Sequence, residues 1–415
     1  MKKPFLGETS FLSDAVGIEG GEISSLPVDA STGRYLITLP EGERSFAKLK
    51  KICKTKLGLR IANTNDFKGQ DYTENDIADA DVLIFQDLGI ALLGPEDNEK
   101  SADYQQYDTI SHVRNEQVVY TSAIPNSLTA TWGIEQTNTP LSNFTGNGVK
   151  VAVLDTGIDL THPDFVGRSI TTNSFVPDES IQDVHGHGTH CIGTACGNIN
   201  TTGVRYGVAS GANIFVGKVL DKTGHGAQAW ILAGMQWAAQ NGCKVISMSL
   251  GSPAKPNFDP AYERAAKFVM GKGGVVVAAA GNDSDRLSGI IAPVGSPANC
   301  PSILAVAALD ANILAGNVGF NVANFSCGTV FLHPSAKVDI AAPGVNVYST
   351  WPMPTRYRAI SGTSMATPHV AGLIALLFEA FPTFTPTQII VKLFSGAKSL
   401  LLPNTDVGIG LATAF

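Results

Sequence analysis

Apolar and polar positions follow two different rhythms along this chain of 415 residues. From about Gly148 onward, short unbroken apolar runs recur: Val149–Leu154, Ile214–Leu220, Val245–Leu250, Val275–Ala280 and Ile303–Ala308. A strand that is apolar at every position has no solvent face, so these runs predict strands buried on both sides of a parallel sheet. Between them the period lengthens. Ala227, Ile231, Gly234, Met235 and Ala238 fall along one helical face. Pro260–Met270 and Ser364–Phe381 predict two more helices. Strands alternating with helices predict an α/β fold, a parallel sheet between helical layers joined by right-handed crossovers.

The first third has another texture. Residues 1–29 are rich in Gly, Ser and Glu and lack periodicity, which predicts a poorly ordered lead-in. Residues 30–122 read as a small α+β unit. Its expected elements are a strand over Tyr35–Leu39, a basic helix over Ser45–Lys56, strands over Val82–Phe85 and Ile90–Leu93, a helix over Asp108–Glu116 and a last strand over Val118–Tyr120. Residues 123–415 then form the α/β domain.

Composition removes several function classes. The formal charge is −7, and only 16% of residues are charged, against roughly 25% in ordinary soluble proteins. Binding to phosphates needs concentrated Lys and Arg, so no nucleic-acid partner is expected. A membrane helix needs about 20 apolar residues, and the best candidate, Val370–Phe381, is too short and carries Glu379. No membrane association is expected. The basic start Met1-Lys2-Lys3 is interrupted by Pro4, Gly7 and Glu8 before any apolar stretch develops. The expectation is therefore no secretion signal, and a cytoplasmic or non-classically exported protein. Six cysteines without CxxC spacing imply neither a disulfide scaffold nor a zinc ribbon.

Three motifs carry candidate chemistry. Asp155 ends the first apolar run, where open α/β sheets place their active sites. It reads either as a turn-initiating Asp or as half of an aspartic-protease pair, and the second reading needs another Asp-Thr-Gly that the chain lacks. His185-Gly-His187-Gly-Thr-His190 puts three of the eight histidines within six positions. Metal ligation, general-base catalysis and helix-start packing all remain open for it. In Ser361-Gly-Thr-Ser364-Met-Ala-Thr-Pro368-His, small residues feed an apolar helix, so Ser364 lies near unpaired backbone N–H groups that suit a developing oxyanion. Pro368 is expected near the first turn, where a missing N–H is cheap.

Taken in order, Asp155-Thr-Gly-Ile-Asp, His187-Gly-Thr-His190 and Gly362-Thr-Ser364-Met-Ala-Thr-Pro-His resemble the subtilisin family of serine endopeptidases, over about Trp132 to Ala414. The resemblance implies Ser364 as nucleophile, His187 as base and Asp155 as the group that orients it. It implies Asn282, in Ala278-Ala-Ala-Gly281-Asn282-Asp, as a side-chain oxyanion donor beside the Ser364 backbone N–H. Asp183 would support the His187 turn, and His185, His190 and Cys191 would serve packing.

By the same resemblance, Gly224, His225 and Gly226 on one edge and Ser249, Leu250 and Gly251 on the other would hold an extended polypeptide substrate as an added strand. Ala280 and Gly281 would wall the pocket for the residue before the scissile bond. Asp164, in His162-Pro-Asp164, and Asn200, in the loop Asn198–Val204, match positions that supply a structural calcium. No cofactor is expected for catalysis. Residues 30–122 resemble the family's propeptide, which implies a zymogen that cleaves itself between Tyr120 and Asn126. Two other classes compete: a catalytically silent binding protein on the same fold, and a dinucleotide-dependent oxidoreductase. The second fails because Asp-Thr-Gly stands where GxGxxG would follow the first strand.

Overall fold

The structure, a computed structural model, describes residues 31–38, 43–56, 58–63, 80–85, 90–93, 112–117, 129–314, 317–330 and 336–415. The chain divides into two units, residues 1–122 and 123–415.

The first unit contains β1 (Ser31–Thr38), α1 (Glu43–Lys51), β2 (Ile61–Asn63), β3 (Val82–Phe85), β4 (Ile90–Leu93) and β5 (His112–Gln117). One π turn, Ile52–Lys56, prolongs α1. The strands lie in the order β2-β3-β4-β1-β5, over a core that includes Ile37, Leu49, Cys53, Ile84 and Leu93. The helix expected over Asp108–Glu116 is corrected at residues 112–116, which belong to β5. There Val113 and Arg114 pair antiparallel with Ile37 and Leu36 of β1. A ladder with a distant strand overrides a short local signal. The expected lead-in and the strand Val118–Tyr120 lie outside the described residues.

The second unit is built on β6 (Lys150–Asp155), β7 (Ile170–Ser174), α2 (His187–Cys196), β8 (Asn213–Lys218), α3 (Gln228–Gln240), β9 (Val245–Met248), α4 (Pro260–Gly271), β10 (Val275–Ala279), β11 (Leu304–Leu314), β12 (Asn317–Val322), β13 (Ile340–Pro343), β14 (Val347–Thr350), β15 (Tyr357–Ile360), α5 (Thr363–Ala380) and α6 (Pro386–Gly396). The main sheet runs β12-β11-β10-β9-β6-β8-β7, with β13 also against β11. Its pairings are parallel apart from β11 with β12. All five apolar runs became strands of this sheet.

Two separate cores explain those runs. Successive side chains of a strand point to opposite faces. Val151 and Val153 of β6 therefore enter a core with Ile192 of α2 and Val370 and Leu373 of α5. Ala152 and Leu154 enter the opposite core with Met235 of α3 and Val269 of α4. The result is the expected three-layer α/β arrangement. Helix α5 is buried along most of its length, which is why it is apolar on all sides. Among the described residues no helix is long and apolar enough to cross a membrane. All six cysteines are buried, and none of them forms a disulfide.

Candidate active site

Asp155 sits at the carboxyl end of β6 and is wholly buried. Its Oδ1 lies 2.8 Å from His187 Nδ1 and accepts the Thr156 N–H at 2.8 Å. Its Oδ2 has no hydrogen-bond partner among the described residues. Burial opposes a charge on His187, yet the neighbouring Asp155 carboxylate wins and holds the imidazole pKa well above its ordinary value.

His187 opens α2 because the preceding turn is clamped. Gly186 adopts φ 101°, and a Cβ there would overlap the Trp351 ring, so the position demands glycine. Asp183 accepts from the N–H groups of His185 (3.0 Å), Gly186 (2.8 Å) and Thr189 (2.8 Å), and from the hydroxyls of Thr156 (2.9 Å) and Thr189 (2.7 Å). A carboxylate here meets the unpaired N–H groups of a helix start. Next in α2, His190 Nε2 donates to two carbonyls, those of Val347 and Arg358, and burial drives its pKa down to about 3. It is a neutral packing group. Cys191 is a buried thiol whose pKa burial raises, with Sγ 3.9 Å from His187 Nδ1.

Ser364 is the second residue of α5. Its hydroxyl donates to the Ser249 carbonyl at 3.2 Å, and the Ser249 hydroxyl returns a bond to the Ser364 carbonyl at 2.7 Å. Pro368 explains this exchange and corrects its expected place. It stands beyond the first turn, four residues after Ser364, and so removes the N–H that the Ser364 carbonyl would otherwise accept. Ser249 supplies the replacement. Ser249→Ala would leave that carbonyl with only the weak Cys191 thiol donor at 3.6 Å, at an expected cost of about 1 kcal/mol, read as a lowered denaturant midpoint.

Asn282 follows β10. Its Oδ1 accepts from the Thr363 N–H and hydroxyl, both at 2.9 Å, which fixes the amide and leaves Nδ2 free to donate. Thr363 is held in turn by the Gly281 N–H at 3.2 Å. A Cβ placed on Gly362 would sit 3.6 Å from both Asn282 Nδ2 and the Ser364 N. Asn282 Nδ2 and the Ser364 N thus both lie close to Gly362.

The Subtilase family profile matches residues 146–410, a span that begins just before β6 and contains Asp155, His187, Asn282 and Ser364. The chain belongs to the subtilase family. Subtilisin E of Bacillus subtilis (strain 168) is 40% identical over 307 residues, covering 73% of this chain and 72% of that protein. M-protease of Shouchella clausii (strain KSM-K16) is 40% identical over 331 residues, 78% of each. Among solved structures, Sphericase superposes with TM-score 0.59 at 34% identity, covering 68% of this chain and 98% of that one. The S41 psychrophilic protease gives TM-score 0.60 at 32% identity, with 70% and 100% covered. This subtilase is accordingly a serine endopeptidase, and its substrates are polypeptides.

Beside the reactive groups of the subtilase runs a cleft of roughly 740 Å³. His187, Ser364, Gly224, His225, Gly226, Ser249, Leu250 and Gly251 all line it. Ala280 and Gly281 do not. Ala280 is fully buried between the Val306 carbonyl and the Gly295 N–H, and a Cβ on Gly281 would lie 2.9 Å from the Cys327 sulfur. His185 lines the cleft as well, its ring 6.2 Å from that of His187.

Asp155, His187 and Cys191 bring an oxygen, a nitrogen and a sulfur within 4.8 Å of one another. The Asp155–His187 hydrogen bond accounts for that proximity without an ion. Subtilases bind structural calcium, for which Asp164 and Asn200 were the expected ligands here. Their oxygens do not form a cation cradle: the Asp164 carboxylate accepts from two tyrosine hydroxyls, and Asn200 Oδ1 accepts three donors of its own loop. Sequence reasoning missed Thr363 and the side chain of Ser249. The signal for Ser249 was present, since Pro368 four residues after Ser364 already implies an unserved carbonyl.

Proposed function

We propose that this subtilase cleaves peptide bonds with Ser364 as nucleophile, His187 as general base and then acid, and Asp155 as the group that orients the imidazole and stabilises the imidazolium formed during reaction. The observation that carries the reading is the 2.8 Å bond between Asp155 Oδ1 and His187 Nδ1 at the edge of the cleft that Ser364 also lines. On substrate binding the Ser364 hydroxyl leaves the Ser249 carbonyl and turns to His187 Nε2. Its oxygen attacks the scissile carbonyl carbon while His187 takes the proton. The oxyanion forms against Asn282 Nδ2 and the Ser364 N–H. His187 then protonates the departing amine, leaving an acyl-serine that water hydrolyses by the same steps. The substrate lies as an extended strand between Gly224–Gly226 and Ser249–Gly251, where glycine lets its backbone come close.

Asn282→Ala is expected to lower kcat about 100- to 1000-fold with little change in KM, because the donor acts on charge that appears only in the transition state. Subtilisin itself supplies that range. Steady-state kinetics on a chromogenic peptide reads it.

The protein is further proposed to be a zymogen. The first unit is a compact α+β module that ends near residue 122, before the span matched by the family. In this reading it is the propeptide, and the segment Tyr120–Asn126 is the enzyme's first substrate. Mass spectrometry of purified protein tests it. Wild type should appear cut in that segment beside an intact Ser364→Ala chain. A cut in both would assign the event to another protease.

A further inference from the structure

The loop that leaves α2 turns at Asn200 and returns through Tyr206 toward β8. Its turn is closed by its own atoms. Asn200 Oδ1 accepts from the Thr202 N–H (3.0 Å), the Thr202 hydroxyl (2.8 Å) and the Val204 N–H (2.9 Å), so its lone pairs are committed. The Asn200 amide nitrogen donates to the Tyr348 hydroxyl at 3.3 Å.

Across this corner stands Asp164. Tyr206 donates to its Oδ2 at 2.6 Å, and the Tyr357 hydroxyl reaches Oδ1 at 3.0 Å and Oδ2 at 2.9 Å. The rings behind these hydroxyls fill the space. Tyr348 and Tyr357, from β14 and β15, stack at 5.3 Å, and Tyr206 meets both edge-on at 6.4 and 5.9 Å. Tyr206 is completely buried, and burial together with its bond to Asp164 keeps the phenol protonated as a donor.

We infer that this three-tyrosine cluster, and not a bound calcium ion, ties the loop after α2 to Asp164 and to β14 and β15. Calcium takes six to eight oxygens, drawn from carboxylates, backbone and amide carbonyls and water. Among side chains this corner offers one carboxylate, whose oxygens already accept phenol hydroxyls, and one amide oxygen that is saturated, while the Asn198 and Val204 carbonyls accept the Tyr206 and Asn200 N–H groups at 3.1 and 2.9 Å. Arg168 adds a positive charge close enough to Tyr206 to favour its ionised form, while bonding the carbonyls of Cys196 and Ala212. A divalent cation would therefore have to displace two phenols and break the Asn200 turn.

The test is thermal unfolding of the full chain carrying Ser364→Ala to prevent self-digestion, with millimolar calcium chloride and with excess chelator. Any calcium-dependent change in Tm should be the same with and without Asp164→Asn. Tyr206→Phe with Tyr357→Phe should lower Tm by roughly 5 °C or more, equally in both solutions, because two bonds to a buried carboxylate are lost. A calcium-induced rise that Asp164→Asn abolishes would overturn the inference, as would an unchanged Tm in the double phenylalanine variant. Should Asp164→Asn fail to fold, Asn200→Ala serves the same comparison.

Discussion

Replacing Ser364 with alanine is expected to cut kcat by about a millionfold, the loss that subtilisin itself shows when its serine is removed. The reason is that the hydroxyl oxygen is the bond-forming atom, and nothing near it substitutes. Cys191 is the nearest rival nucleophile, but its thiol is buried, its pKa is raised and its Sγ points to the Ser364 carbonyl at 3.6 Å. The residual rate over water should come from the oxyanion donors and the cleft, which the substitution leaves intact. Binding should change little, because Ser364 contributes one wall atom among many. Active-site titration with a fluorophosphonate, combined with a peptide assay, checks both parts. Labelling that persists in Ser364→Ala would reassign the nucleophile.

Asp155→Asn is expected to cost about 10⁴-fold in kcat, the loss known for the equivalent change in a serine protease triad. An asparagine amide facing His187 Nδ1 would hold the wrong tautomer, leaving Nε2 unable to accept the serine proton. The pH profile gives a second readout with a definite sign. His187 acts as a base only when neutral, so activity rises as pH passes upward through its pKa. With Asp155 present that pKa lies well above the ordinary imidazole value, which puts the acid limb of wild-type kcat/KM above pH 6.5. Removing the carboxylate leaves burial as the main influence, and burial favours the neutral ring. The acid limb of Asp155→Asn should therefore shift to lower pH while the plateau falls. A limb that stays in place would mean that another group sets it.

Much of this molecule was legible because the relevant physics is local. An unbroken run such as Val149–Leu154 has no stable place except a strand covered on both faces, and its alternate residues indeed enter two different cores. Helix α5 announced its burial by being apolar all round. Edge strands were silent. Ile170–Ser174 carries one apolar residue among polar ones and became β7 only by pairing with β8. The error at 112–116 has the same origin, since β5 exists through its ladder with β1.

The amino-acid sequence by itself determined the α/β class and the order of Asp155, His187 and Ser364. Each depends on residue type and neighbours along the chain. Only the tertiary structure decided that Thr363 aims the Asn282 amide, that Ser249 serves the carbonyl Pro368 left open, and that Tyr206, Tyr348 and Tyr357 converge on Asp164 and Asn200. Those contacts join residues 81, 115, 42 and 148 positions apart. A hydrogen bond depends on distance and angle in space, and no pattern along the chain encodes which of its many polar groups will meet.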